Sequence, residues 1–226
     1  MRQPQPVRPV GLSGTAVHLK GAVDRAVAVL ALVVLSPLLA LISLAIRIDS
    51  RGPVFYRDRR VGRHGSVFRI FKFRTMIDGA DHIGLGRNVA RNDNRITRVG
   101  KWLRRSSIDE LPQLINVALG QMSLVGPRPG TPQQADIYTH RQRRRLEVRP
   151  GITGWAQVNG RNSLSWEERI ELDIWYIDNW SPWLDLRVLA RSPVAAFDAE
   201  GLYGPNGVTT DLRQADEDQD DPRPAQ

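Results

Sequence analysis

Ala26–Ile46 reads AVAVLALVVLSPLLALISLAI, an uncharged run with Ser36-Pro37 at its middle. As a helix rising about 1.5 Å per residue it is about 30 Å long, the thickness of a bilayer's hydrocarbon core. It is longer than a secretory h-region and no small-x-small cleavage site follows it, so it is expected to stay in the mature protein. Proline deletes one backbone hydrogen bond and crowds the preceding turn, which predicts a bend at Pro37. Composition alone favours a proline-kinked helix that spans. The flanking charges point elsewhere, because Lys20 and Arg25 precede the run and Arg47, Arg51, Arg57, Arg59, Arg60 and Arg63 follow it. Two arms that dip into one leaflet and return would satisfy the positive-inside bias at both ends. In that arrangement Ser36 is expected to help satisfy the backbone carbonyls that the proline frees.

Outward from this segment, residues 1–19 are a Pro/Gln-rich tail and 20–50 hold the membrane helix. Residues 51–210 are long enough for one catalytic body, and 211–226 form an acidic tail. The chain of 226 residues carries 32 Lys+Arg against 24 Asp+Glu, a net +8. The acidic tail has six acids against two arginines, so the rest of the chain carries +12. Such a body suits an anionic partner: lipid, phosphorylated substrate or nucleic acid. The absence of cysteine excludes disulfides, a thiolate nucleophile and cysteine-liganded metal sites. No Walker loop, dinucleotide fingerprint or HExxH is present.

The pieces VFYRDRRVG and SVFRIFKFRTM, on either side of Arg63-His64-Gly65, alternate apolar and basic residues and predict a β-hairpin with a basic face. Asp78 to Asn94 reads as loop or short helices. Ile108, Leu111, Leu114, Ile115, Ala118 and Leu119 recur at three and four, which predicts a helix closed by Gly120. A second helix is expected from Gln133 to Val148, carrying Arg141, Arg143, Arg144 and Arg145 as a patch for anionic headgroups. Ser165 to Asn179 is helical by the spacing of Trp166, Ile170 and Ile174. The fold class that follows is α+β, a helix-rich single domain with interfacial helices and a small β-hairpin.

The chemistry centres on Arg104-Arg105-Ser106-Ser107-Ile108-Asp109-Glu110-Leu111-Pro112. Ser107 with Glu110 matches a capping box, a purely structural role. Pro112 disturbs that role, since with Ser107 as N-cap it falls past the first turn, so the helix start is shifted or distorted and Asp109 and Glu110 are candidates for a site. Two adjacent carboxylates suit one Mg²⁺, which completes its octahedron with water and phosphate oxygens, or a nucleophile beside a metal ligand. Arg104, Arg105 and Arg128 of Gly126-Pro127-Arg128-Pro129 offer planar forks for phosphate.

The broken apolar segment, KFRTM at Lys72–Met76, RSSIDELPQLINVALGQMSLVGPRP from Arg105 to Pro129 and RPGITGWAQVNGR from Arg149 to Arg161 stand in one order. On these motifs the chain resembles the monotopic phosphoglycosyl transferases among bacterial sugar transferases, from about Lys20 to Thr210. The resemblance implies a re-entrant helix broken at Ser36-Pro37 and a catalytic domain on the cytoplasmic face of the bacterial membrane, in one leaflet. It implies transfer of a sugar-1-phosphate from a UDP-sugar to undecaprenyl phosphate, with release of UMP, to begin a glycan, capsule or exopolysaccharide. Asp109 matches the nucleophile, Asp109 and Glu110 the Mg²⁺ ligands, and Arg104, Arg128 and Lys72 the substrate-phosphate contacts. Larger relatives carry spanning helices ahead of this region, so the compact form is expected here. The sugar and the oligomeric state stay open, a homodimer included, and nucleic acid is not expected as a partner. The rival reading is a non-catalytic membrane tether that binds anionic lipid or nucleic acid through its basic face.

Overall fold

A computed structural model describes residues 14–84, 86, 88–90, 92–160, 163–197 and 208–209. Residues 1–13 and the acidic tail from 211 lie outside the described residues. The elements, in chain order, are α1 (Gly14–Asp49), β1 (Phe55–Tyr56), β2 (Arg59–Val61), β3 (Val67–Arg69), β4 (Lys72–Phe73), β5 (Val89–Ala90), α2 (Arg98–Arg105), α3 (Gln113–Ala118), β6 (Ser123–Val125), α4 (Pro132–Asp136), β7 (Gly151–Thr153), α5 (Trp155–Val158), α6 (Trp166–Asp178), α7 (Pro182–Phe197) and β8 (Val208–Thr209). Short 3₁₀ turns punctuate them, among them Ile108–Glu110 and Gln142–Glu147.

The apolar run is the middle of one helix. α1 begins at Gly14, inside the stretch read as a tail, where Ala16 packs against the buried cluster that includes Tyr176, Ile177 and Trp180 and Lys20 reaches Asp185 at 2.6 Å. Helical backbone continues through Ser36-Pro37, where the sequence predicted a break into two arms. The carbonyl that loses its partner to Pro37 is that of Val33, and Ser36 Oγ donates to it at 2.8 Å. Both sides of the proline pack on the same body. Ala28, Ala31, Leu32 and Leu35 meet Phe68, Ile70, Leu114, Val117 and Met122, while Leu39, Ile42 and Ile46 meet Phe73, Leu103 and Ile108. These positions repeat at three and four, one stripe of the helix. The opposite stripe leaves Leu30, Val34, Leu41 and Leu44 exposed. Beyond Asp49, Arg74 donates to the carbonyls of Ser50 and Arg51, the kind of cation a helix C-terminus favours.

The predicted hairpin is present. Arg59 pairs with Arg69, Val61 with Val67, Phe55 with Phe73 and Tyr56 with Lys72, so two short ladders share one register. His64 and Gly65 turn the chain with positive φ. A second crossing ties the middle of the chain together, β6 and β7 running parallel with Ser123 opposite Gly151. The helix expected from Gln133 to Val148 is instead two pieces, α4 and the 3₁₀ turn Gln142–Glu147. Between them Thr139 and Gln142 each accept from the other's backbone N–H, a local alternative to continued helix. Within the described residues the fold is a helix-rich α+β body of two-stranded sheets, laid along one long apolar helix.

Candidate active site

The segment from Ser107 to Ile115 owes its shape to Pro112. A proline has no N–H to give to the carbonyl of Ile108, and Leu111 N takes that carbonyl at 3.1 Å instead. The chain therefore runs as a 3₁₀ turn over Ile108–Glu110 and becomes α-helical only at Gln113, with Pro112 at the cap position. Ser107 takes φ 56° and makes no capping hydrogen bond, so the capping-box role is not realised. The two carboxylates that would have served a helix start are turned to other partners.

Those partners are cations from two distant elements. Lys72, on β4, places Nζ 3.0 Å from Asp109 Oδ2 and 3.1 Å from Glu110 Oε1. Arg128 grips Glu110 with two donors, Nη2 to Oε1 at 2.8 Å and Nη1 to Oε2 at 3.3 Å. Asp109 is buried, whereas the Arg128 side chain is half exposed at 52%. Burial would push the Glu110 carboxyl up, but the charges of Arg128 and Lys72 and their hydrogen bonds hold it well below the usual carboxylate range. Glu110 in turn holds the Arg128 guanidinium above its ordinary value. Two carboxylates, one ammonium and one guanidinium thus neutralise one another at the mouth of the site.

Arg104 stands in the last turn of α2, just before these carboxylates, and makes no ion pair with either of them. Among the described residues its Nε is buried without a hydrogen-bond partner. A buried donor left unmatched is costly, and an incoming phosphate oxygen would satisfy it.

Positioning residues missed by the sequence reading hold this arrangement. Asn116 on α3 is fully buried; its Oδ1 accepts from Phe71 N at 2.9 Å and its Nδ2 donates to Arg69 O at 2.9 Å. It joins the strand leading to Lys72 to the helix following Asp109. Arg145 donates to the backbone carbonyl of Arg128 at 2.9 Å, to the Tyr138 hydroxyl at 2.8 Å and to Asp173 Oδ2 through Nε at 2.9 Å. Burial pushes the Asp173 carboxyl up, and Arg145 works against it. The signal available in the sequence was an amide inside an apolar helix for Asn116, and for Arg145 only its place in an arginine cluster.

A model of the family described as bacterial sugar transferase matches residues 15–199. The chain belongs to the bacterial sugar transferase family. It is 45% identical over 193 residues to the sugar transferase EpsL of Bacillus subtilis, covering 85% of this chain and 94% of that protein. It is 44% identical over 192 residues to the UDP-glucose:undecaprenyl-phosphate glucose-1-phosphate transferase of Xanthomonas campestris, covering 81% of this chain and 40% of the relative. The exopolysaccharide production protein ExoY of Sinorhizobium fredii is 36% identical over 211 residues, 87% of this chain and 91% of ExoY. The chain therefore spans nearly all of some relatives and less than half of others.

In this sugar transferase the arginine patch expected to face lipid is largely spoken for. Arg141 pairs with Glu171, Arg144 with Asp178 at 2.6 Å and Arg145 with Asp173 at 2.8 Å. Acids at 171, 173 and 178 lie on α6, so the patch fastens the 3₁₀ turn to that helix, and three of its four charges are paired. Arg143 alone of the four has no ion pair among the described residues.

Among the described residues no three His, Cys, Asp or Glu side chains gather as an all-protein metal cage. Mg²⁺ does not ask for one; it takes one or two carboxylates and fills its sphere with water and substrate phosphate. Asp109 and Glu110, both reaching Lys72, fit that donor set.

Proposed function

We propose that this family member transfers a sugar-1-phosphate from a UDP-hexose to undecaprenyl phosphate and releases UMP, the initiating step of exopolysaccharide assembly. The observation that carries the reading is the convergence of Lys72 and Arg128 on the adjacent carboxylates Asp109 and Glu110, beside the unmatched Nε of Arg104. The names of relatives in Xanthomonas campestris and Escherichia coli, both UDP-glucose:undecaprenyl-phosphate glucose-1-phosphate transferases, make UDP-glucose the first donor to test.

In the mechanism we favour, an Asp109 carboxylate oxygen attacks the sugar-bearing phosphorus of the donor. The bond from that phosphorus to the bridging oxygen breaks, and the electron pair leaves with UMP. An oxygen of undecaprenyl phosphate then attacks the same phosphorus, the aspartyl bond breaks, and undecaprenyl-diphosphate-sugar departs. Lys72 orients the Asp109 carboxylate through its 3.0 Å contact and neutralises charge at the phosphorus. Arg128, released from Glu110 by a competing phosphate, and Arg104 bind the diphosphate oxygens as planar donors. Asp109 and Glu110 would hold Mg²⁺, which when bound supplies Lewis-acid stabilisation of phosphate charge. Detergent-solubilised protein given Mg²⁺, undecaprenyl phosphate and a panel of UDP-sugars should release UMP from one donor, with ping-pong kinetics. Sequential kinetics, or no phosphosugar captured on Asp109, would remove the covalent step.

We further propose that α1 enters one leaflet and does not cross. Residues on both sides of Pro37 pack on the one body that carries the site, which supports both helix ends lying on the same face. Because the chain has no cysteine, Ser13→Cys and Ser50→Cys can each be labelled singly in intact cells. Both are expected to resist an impermeant thiol reagent until the membrane is opened; labelling of Ser13→Cys alone from outside would make the helix spanning.

A further inference from the structure

At the far end of α3 from the carboxylates, three guanidinium groups gather. Arg149 Nε donates to the carbonyl of Gly120 at 3.0 Å, and its Nη1 lies where a Cβ on Gly21 would come within 2.8 Å of it. Arg25, one turn further along α1, lies against the same Gly120, its Nη2 in the space a Cβ there would take. Arg63 joins from the hairpin turn, donating through Nε to the carbonyl of Glu147 at 3.0 Å. The glycines at 21 and 120 leave the room that lets the guanidinium groups approach. Among the described residues the Nη atoms of Arg63 and Arg149 have no hydrogen-bond partner, and Arg25 has no ion pair at all.

The carboxylates nearby contact cations outside the arginine cluster, although the Oε2 atom of Glu147 is buried without a hydrogen-bond partner among the described residues. Asp24 is held by Lys20 at 3.2 Å and by the Ser123 hydroxyl, and Glu147 faces Arg144 at 3.5 Å. Lys20 spends its charge on Asp24 and Asp185. Among the described residues Arg25, Arg63 and Arg149 make no ion pair, and the Arg149 guanidinium is held below its ordinary value by burial and by the charges of Arg25 and Arg63, against the opposing charge of Asp24. Like charges brought together without a counterion are costly, and an anion among them removes the cost.

A hollow opens here whose lining includes Lys20, Arg63 and Arg149 together with the carboxylates Asp24 and Glu147, and Arg25 stands outside that lining, beside Gly120. Exposed apolar residues border the cluster, Val23 and Val27 on α1 and Leu119 just before Gly120. We propose that Arg25, Arg63 and Arg149 form a second anion site, separate from the Asp109 site, that takes a phosphate group carried at the edge of the apolar face of α1. The adjoining apolar residues make the phosphate of an anionic membrane lipid the source that fits; a free phosphate ion shares the headgroup chemistry and lacks the tail. This site takes the role the sequence assigned to the Arg141–Arg145 patch, whose charges, that of Arg143 apart, are paired with acids on α6.

The test is thermal unfolding of the full chain in a neutral detergent, titrated separately with short-chain phosphatidylglycerol, short-chain phosphatidylcholine and inorganic phosphate. A ligand that binds only the folded state raises Tm, here by about 5 °C near saturation. Phosphatidylglycerol is expected to raise the Tm of the wild type and of Arg141→Gln, a control that loses the same charge elsewhere. In Arg149→Gln the concentration giving half the shift should rise by about fivefold or more. Arg25→Gln, at an exposed position, should do the same if Arg149→Gln fails to fold. A larger response to phosphatidylglycerol than to phosphate identifies the lipid; equal responses identify the phosphate ion, with the site intact. Absence of any anion-dependent shift, or one unchanged in Arg25→Gln and Arg149→Gln, overturns the proposal. None of these readouts depends on sugar transfer.

Discussion

Two stretches of this chain carry nearly the same four residues and do opposite things. Ser165-Trp166-Glu167-Glu168 opens α6 with a complete capping box: Ser165 sits at φ −60°, its hydroxyl accepts from Glu168 N, and the Glu168 carboxylate returns to Ser165 N at 2.8 Å. Ser107-Ile108-Asp109-Glu110 makes no such box. Ser107 follows directly on the C-terminus of α2, where the chain takes the left-handed conformation that ends helices, and an N-cap needs an extended one. Pro112 then denies the next turn its α-helical hydrogen bond. The same acids that stabilise a helix at 168 are left at 109 and 110 for Lys72 and Arg128. A capping motif is thus a statement about its neighbours as much as about itself.

The largest contrast between the two stretches is in turnover. Asp109→Asn should abolish UMP release, by on the order of 10⁴-fold or more, while Tm stays near that of the wild type. Glu110→Gln should lower kcat by about 10²–10³-fold, the scale of removing one electrostatic group from a reacting centre, again with the fold retained. If either variant loses activity only in proportion to lost folded protein, the carboxylates at 109 and 110 are structural after all. At the other stretch the effects reverse. Ser165→Ala removes a cap and should cost about 1 kcal/mol in denaturant unfolding, with kcat unchanged.

A smaller effect concerns acidity. Because Arg128 and Lys72 hold the Glu110 carboxyl below its usual 4.5, its share of stability is present above that value and is lost only as pH falls towards the depressed one. Glu110 therefore stays ionised through the neutral range, and a bound divalent cation would shift it the same way. The pH–rate profile of Glu110→Gln above pH 5 should have the shape of the wild type at a lower rate. A limb that disappears from the profile in the variant would mean that Glu110 titrates in that range.

Much of the site was legible because its residues are unusual for their local pattern. Pro112 inside an apolar helical period announced a distorted start, and the acids beside it were the natural cargo. The hairpin was legible from alternation around Arg63-His64-Gly65, and α6 from its spacing and cap. What the sequence hid is decided by pairing at a distance. Nothing local to Arg145 says that Asp173 waits 28 positions on, so a structural clamp read as a lipid patch. The uninterrupted course of α1 was hidden too, since proline at 37 predicts a break and only the side chains around it decide whether helix continues. Lys72 and Arg128 were named as candidates for phosphate, but their clasp on Glu110 was hidden, because it joins residues 38 and 18 positions apart in the chain.

The neighbour of that proline carries one more consequence. Ser36 returns a donor to the carbonyl from which Pro37 removed one, so the helix brings its own solvation to the weakest point of its backbone. In hydrocarbon, where no water is at hand, this makes the serine the guardian of the segment's dryness. With alanine there, the Val33 carbonyl would draw a water molecule into the lipid beside it.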